Sequence, residues 1–466
     1  MRTWQKAILL ALIIIAIPLF YFENRFFSQK AQTTNLKQQQ QTTLQAYHSD
    51  ASEQYAAFKT YLQQEPQAKV YYFIPENTQN QPIELLDQSK KLGDKLYQQM
   101  SQQKPAIKRL TIYVTYQSTN IQDDTYAFKL SAAAYGVTNK GFKTVYQKLD
   151  HLDASEQIYN LSDQTKPVTL QALAKDTSTT ATLKQIAIDQ LIKDRNSDWD
   201  AVQKLQQLTF SDQFDYTTDG LTLHFNSNPL KITKIELPLE IVGPYLNPDY
   251  VPSDHQATAI KGRKKAIALT FNTTLKPQVT EAILKTLTDN NISATFLTTG
   301  AGVKAHPDVL KALIAAHQGV GTQTYASDDN PATMATADWQ ANVLKTNQAF
   351  YQATGKLPAY QRLPLDTANA QLAQATQRPF IEWSVDSQDW STTIDAPTIT
   401  SNVLAGVSGG DVVLLHTTDV TNQALPELIK QLTAKGYHFT TVDALFDHQL
   451  TPQQQIFKVG DHRTLK

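Results

Sequence analysis

Chemistry in this chain proceeds without sulfur nucleophiles, because none of its 466 residues is cysteine. That removes thiol catalysis, disulfide frameworks, thiolate zinc sites and iron–sulfur clusters together. Histidine is then the main carrier of metal binding and proton transfer, at positions 48, 151, 224, 255, 306, 317, 416, 438, 448 and 462. No two of these are closer than ten residues. Zinc sites borne on one helix or strand commonly take two ligands at much shorter spacings, as in His-x₃-His. The spacing therefore predicts no local metal pair, and Asp328-Asp329 offers one displaced carboxylate ligand at most. With 42 Lys+Arg against 43 Asp+Glu, the net charge is −1, which gives no reason to expect a nucleic-acid partner. Charged residues are 18% of the chain, below the usual quarter or so, and Gln and Thr fill the difference.

The elements that must position such residues are clearest after Gly262-Arg263-Lys264-Lys265, where the composition shifts. Ala266-Ile267-Ala268-Leu269-Thr270-Phe271 is an apolar run of the kind a parallel sheet buries on both faces. Val279–Leu287 reads as a helix, Ser293–Leu297 as a strand, and His306–Ala316 as a helix leading to Gly319-Val320-Gly321-Thr322. Ile381–Val385 and Val412–Leu415 read as later strands, and the helix Asn422–Lys435 stops at Gly436. Strands alternating with helices predict an α/β fold, a distorted (β/α) barrel.

Residues 263 to about 447 resemble the polysaccharide deacetylase family (NodB homology, carbohydrate esterase 4). The likeness runs in order through Leu269-Thr270-Phe271, Ala294-Thr295-Phe296, Arg362-Leu363-Pro364, Trp383-Ser384-Val385-Asp386-Ser387-Gln388-Asp389-Trp390, Leu414-Leu415-His416 and Gly436-Tyr437. The resemblance implies acetamide hydrolysis by zinc or another divalent metal, held by one Asp and two His. An adjacent Asp serves as general base. At that Thr-Phe-Asp-Asp-Gly-Pro element this chain reads Thr270-Phe271-Asn272-Thr273-Thr274-Leu275. The base position thus falls on Asn272, whose amide takes no proton at neutral pH, and the metal Asp position on Thr273. The His-x-x-x-His positions hold Gln323 and Ser327. Arg362 matches the residue that orients the base. Asp389 and His416 match a carboxylate partner and the imidazole that protonates the leaving amine. Trp383, Trp390 and Leu415 match cleft walls, and Tyr325 joins them as a binding residue. The expectation is a remnant cleft with no bound metal cofactor.

Upstream, Arg2 and Lys6 precede the uncharged run Ala7–Phe22, and Glu23-Asn24-Arg25 ends it. Its sixteen residues would span roughly 24 Å as a helix, a little short of a bilayer core. Trp4 and Phe26-Phe27 are placed to extend that span at the interfaces. No small-residue cleavage site follows, so residues 1–27 are expected to form a transmembrane signal anchor, with the bulk of the chain outside the cell membrane. Residues 28–52, rich in Gln, Thr and Ala, are expected to form a flexible stalk.

Between stalk and barrel the pattern is α+β, divided at 53–160 and 161–252. Lys108–Tyr116 alternates as a strand with Tyr126–Leu130 as its neighbour, and Leu183, Ile186, Ala187 and Leu191 recur at helical spacing behind Thr182 as N-cap. Asp219-Gly220 marks a hairpin turn, and Leu230–Leu239 alternates again. Tyr71, Tyr72, Phe73, Tyr113 and Tyr116 are expected in the core. Phe214–Leu246, with its upstream helices, resembles the small domain that precedes the catalytic domain in Gram-positive peptidoglycan deacetylases. Related domains occur in surface sensors that bind lysozyme. Residues 448–466 are expected to be a tail.

Three functions follow as expectations. The first is an anchored pseudoenzyme that binds peptidoglycan glycan or a wall protein. The second is an active N- or O-deacetylase with relocated ligands. The third is a sensor that binds a protein through the middle region.

Overall fold

The computed structural model describes residues 3–103, 107–140, 143–162, 165–175, 177–195, 198–252, 265–364, 367–447 and 450–465. Arg2, His255, Gly262-Arg263-Lys264 and His448 of the sequence reading lie outside them. Two compact units emerge: Met1–Thr169 with Phe214–Asp219, and Leu170–Gln213 with Gly220–Lys466.

The first unit is built on a five-stranded sheet, in the order Phe58–Glu65, Ala68–Pro75, Lys108–Gln122, Thr125–Lys140, Lys143–Asn160. All neighbours are antiparallel except the second and third strands, whose parallel pairing is bridged by the helix Leu85–Gln103. Tyr72, Phe73, Tyr113 and Tyr116 are buried core residues, as large aromatic side chains are expected to be, and Tyr71 packs half-buried against them.

Residues 28–52 do not form the expected flexible stalk. They belong to one helix, Thr3–Gln54, whose C-terminal half packs on the sheet. Gln, Ala, Leu and Lys are good helix formers, and a few apolar positions suffice to dock them. Ala51 is fully buried, the Tyr47 ring stacks 4.7 Å from that of Tyr113, and Tyr116 Oη donates to the Ala51 and Tyr55 carbonyls. Among the described residues no helix is long and apolar enough to cross a membrane.

The second unit opens with the helices Thr177–Arg195 and Trp199–Gln206 and carries the antiparallel strand pair Gly220–Phe225 and Lys234–Pro238. Thr182 lies inside the first helix, five residues past its start, and is not its cap. The turn does fall at Asp219-Gly220. A Cβ on Gly220 would stand 2.1 Å from the Leu237 carbonyl oxygen, so only glycine allows the next strand to approach.

The rest is a parallel sheet ordered Gly319–Thr322, Thr295–Thr298, Ala266–Thr273, Val412–His416, Val385–Asp386, with His438–Phe439 also paired to Ala266–Thr273. Its longer helices are Pro277–Asp289, Pro307–Ala315, Thr336–Thr354, Ala396–Gly406 and Asp419–Ala434. The apolar run is buried on both faces: Ile267, Leu269 and Phe271 join one core cluster, Ala266 and Ala268 another. Ile381–Val385 is not one strand but two short pieces, Phe380–Ile381 and Val385–Asp386. The segment read as a tail carries the antiparallel pair Gln454–Lys458 and Asp461–Thr464, docked in parallel on Phe380–Ile381. The pairing establishes the α/β sheet, and barrel closure goes beyond it.

Candidate functional site

Parallel strands deliver their next residues to one edge, and ligand sites of α/β sheets gather at those carboxyl ends. Asn272 and His416 sit opposite each other there, in register on adjacent strands, and Thr417 N–H donates to the Asn272 carbonyl. One residue earlier, Phe271 faces Leu415 in the same register. Strand side chains alternate, so the two pairs point to opposite faces. That corrects Leu415: it is 0% exposed inside the core cluster with Phe271 and walls no cleft.

Arg362 follows Gln361, which bridges to Thr322 and Phe380. Its guanidinium is almost wholly buried and fully engaged. Nε donates to the Ile381 carbonyl (2.7 Å), Nη1 to Asn272 Oδ1 (3.1 Å), and Nη2 to Thr270 Oγ1 (2.9 Å) and the Glu382 carbonyl (3.0 Å). Burial pushes its pKa down to about 10, opposed by the nearby Glu382 carboxylate and Tyr360. It remains a cation at neutral pH. Its Cζ lies 5.6 Å from the Trp383 ring centroid.

Asp389 lies beyond the short strand Val385–Asp386 and accepts three hydrogen bonds. These come from His416 Nδ1 and His416 N–H, both at 2.7 Å, and from Thr421 Oγ1 at 2.6 Å. Its side chain is 0% exposed and that of His416 is 28%. The carboxylate is thus a buried anchor that orients an imidazole open to solvent, an arrangement suited to moving a proton. Trp390, 63% exposed, donates from Nε1 to Asp386 Oδ2 at 3.3 Å. Truncating Asp389→Ala orphans all three donors, and should cost about 2–4 kcal/mol of stability in thermal denaturation. A loss under about 1 kcal/mol would remove Asp389 from the role of anchor.

The remaining positions are committed elsewhere. Thr273 Oγ1 accepts from Leu275 N–H and Thr417 Oγ1, both at 2.9 Å. Gln323 Nε2 donates to the Leu297 carbonyl at 2.6 Å, and Ser327 is exposed. Asp329, the carboxylate offered by sequence as a displaced ligand, accepts from Ala326 N–H and Asn342 Nδ2, both at 2.6 Å, pinning its own loop; Asp328 is exposed. Tyr325 turns to the helix Thr336–Thr354, where Lys345 Nζ stands 3.7 Å from its ring centroid. Among the described residues no group of three His, Asp or Glu could hold a metal ion. Two neutral side chains already in hydrogen bonds and an exposed serine do not fit a divalent cation, which seeks imidazole or carboxylate donors.

Sequence reasoning missed Thr421, Thr417 and the buried Glu382. Thr421 was legible in part: Thr418 caps the helix Asp419–Ala434 by accepting from Thr421 N–H, a Thr-x-x-Thr start just after Leu-Leu-His. Glu382 gave no signal within an apolar stretch.

A profile of the family described as polysaccharide deacetylase matches residues 259–379, and one for the peptidoglycan GlcNAc deacetylase N-terminal domain matches 31–258. The peptidoglycan-N-acetylglucosamine deacetylase PgdA of Listeria monocytogenes is 26% identical over 99% of each chain. A peptidoglycan-N-acetylglucosamine deacetylase of Bacillus cereus is 32% identical over 39% of this chain and 69% of its own. A solved CE4 family pseudoenzyme from Bacillus anthracis is 26% identical, covering 42% of this chain and 72% of that one, with a TM-score of 0.38.

Proposed function

Starting from the fact that this chain belongs to the polysaccharide deacetylase family, we propose that it is a cell-surface protein whose deacetylase-like domain binds peptidoglycan glycan without hydrolysing it. One observation carries the reading. At the base position stands an amide fixed by Arg362, and at the three ligand positions stand two hydrogen-bonded neutral side chains and an exposed serine. The Asp389–His416 pair can pass a proton, but among the described residues no group of metal ligands stands beside it to activate water.

Exposed Trp390 and half-buried Trp383 leave flat apolar surface at the cleft, the kind that covers the C–H face of a sugar ring. Retention of the full chain on purified, protein-free sacculi should fall about tenfold on Trp390→Ala, a loss near 1.4 kcal/mol. Retention that ignores this change, and survives Trp383→Ala too, rules the cleft out. Sacculi stripped of protein also separate glycan binding from a wall-protein partner for residues 53–252.

The second reading is an active deacetylase with ligands in other places, favoured by the 26% identity to the Listeria enzyme over 99% of the chain. We also propose that Ala7–Phe22 attaches the chain to the cell membrane and leaves the remainder outside, on the strength of its uncharged run behind Arg2 and Lys6. Removal of residues 1–27 should then move the protein from the membrane fraction to the soluble one. Unchanged partitioning would discard the anchor.

A further inference from the structure

Within the second unit lies a groove that the deacetylase cleft does not account for. It has a volume of about 680 Å³ and runs between the helices Thr177–Arg195 and Trp199–Gln206 on one side and Thr336–Thr354 and Ala370–Thr376 on the other. That size falls in the usual range for small-molecule sites, roughly 300–1,000 Å³.

Its lining is unusual in chemistry. Carboxamides dominate: Gln206, Gln340, Asn347, Gln374, Gln377 and Gln453. Among the described residues no Asp or Glu lines it. The Arg378 guanidinium is taken up by a two-pronged pair with Asp189, at 2.7 and 2.8 Å, and Gln185 donates to the same carboxylate at 3.1 Å. Lys184 lies 5.7 Å from the Phe210 ring centroid. Phe210, Ile188 and Val343 supply apolar floor.

The second, independent observation is Asn347. It is only 9% exposed, lines the groove, and its carboxamide has no hydrogen-bond partner among the described residues. Buried polar side chains are normally paired, so one left open toward a cavity marks a place for a ligand's polar group. Gln340, Val343, Leu344 and Asn347 fall at i, i+3, i+4 and i+7 of one helix, so the polar and apolar contacts share a face.

We infer that this groove is a second glycan site, taking an uncharged oligosaccharide that carries hydroxyl and acetamido groups. Carboxamides both donate and accept, as sugar hydroxyls and acetamides do, while a lining without carboxylates gives a cation nothing to pair with. The aromatic and aliphatic floor covers sugar C–H faces. The inference does not depend on the deacetylase cleft binding anything.

Calorimetric titration of the full chain with the tetramer of N-acetylglucosamine tests it. Asn347→Leu keeps the branching of the side chain but removes the amide. Gln340→Trp fills the groove mouth from an exposed position, and so tests the site even if Asn347→Leu fails to fold. Both should weaken groove binding about tenfold or more, whereas Trp390→Ala should leave it intact. Unchanged affinity in both groove variants overturns the inference, as does a sugar-free wall peptide that binds there in place of the tetramer. Loss of tetramer binding on Trp390→Ala alone would sink the groove and leave the cleft standing, and the reverse pattern would do the opposite.

Discussion

Supplied with zinc or cobalt, the purified full chain should hold no stoichiometric ion and release no acetate from chitooligosaccharide or peptidoglycan. The reason is the set of atoms on offer. Thr273 Oγ1 is a neutral hydroxyl that already accepts from Leu275 N–H and Thr417 Oγ1. Gln323 spends its N–H on the Leu297 carbonyl, and Ser327 faces solvent. Loss of a residue that merely supports a ligand costs roughly 10–100-fold in metal affinity, so replacing all three ligands costs far more. A missing general base removes about another 10²–10⁴-fold in rate. Because groups acting as a unit are strongly non-additive, Thr273→Asp alone should restore nothing. The combined change Asn272→Asp, Thr273→Asp, Gln323→His and Ser327→His should bind the ion, since Arg362 Nη1 and Thr417 Oγ1 already point at the two carboxylate positions. Metal analysis after dialysis, beside an acetate assay, reads both expectations. A native chain that retains an ion, or whose acetate release a chelator abolishes, reverses the reading in favour of relocated ligands.

The sequence carried the strand ends well and the helix surfaces less so. Ala266–Phe271 is apolar at every position but Thr270, and a parallel strand covered on both faces is what such a run builds. The motif residues Asn272, Arg362, Asp389 and His416 come together because each follows or ends a strand of one sheet, and strand order can be inferred from a family likeness. Leu415 misled because a motif records adjacency, while alternation decides which of two neighbours faces the cleft. The Gln-rich helix misled for another reason. Its segment has too few apolar residues to read as packed, yet Tyr47 and Ala51 dock against partners such as Tyr113 and Tyr116, more than sixty positions away. Asn347 was invisible for the same cause: an asparagine in a helix signals nothing until another helix leaves a space beside it.

Replacing Arg362 by methionine, which keeps much of the length and removes the charge, should destabilise the second unit by about 3–5 kcal/mol. Four acceptors lose their donors at once: the Ile381 and Glu382 carbonyls, Thr270 Oγ1 and Asn272 Oδ1. The Glu382 carboxylate, itself buried, also loses the cation beside it. An unpaired buried charge costs more than the pair contributes, so the second loss should exceed the first. Arg362→Lys retains a point charge but not the planar fork, and can reach only some of those acceptors. It should fall between wild type and methionine. Adding Glu382→Gln to Arg362→Met should recover part of the loss, because it removes the stranded charge, and a double-mutant cycle measures that coupling. Tryptophan fluorescence during urea unfolding follows this unit well, since Trp199, Trp339, Trp383 and Trp390 lie in it and only Trp4 lies elsewhere. A stability change under about 1 kcal/mol for Arg362→Met would mean the guanidinium is dispensable. Its place beneath the cleft would then have to be sought in binding, with Asn272 held by some other group.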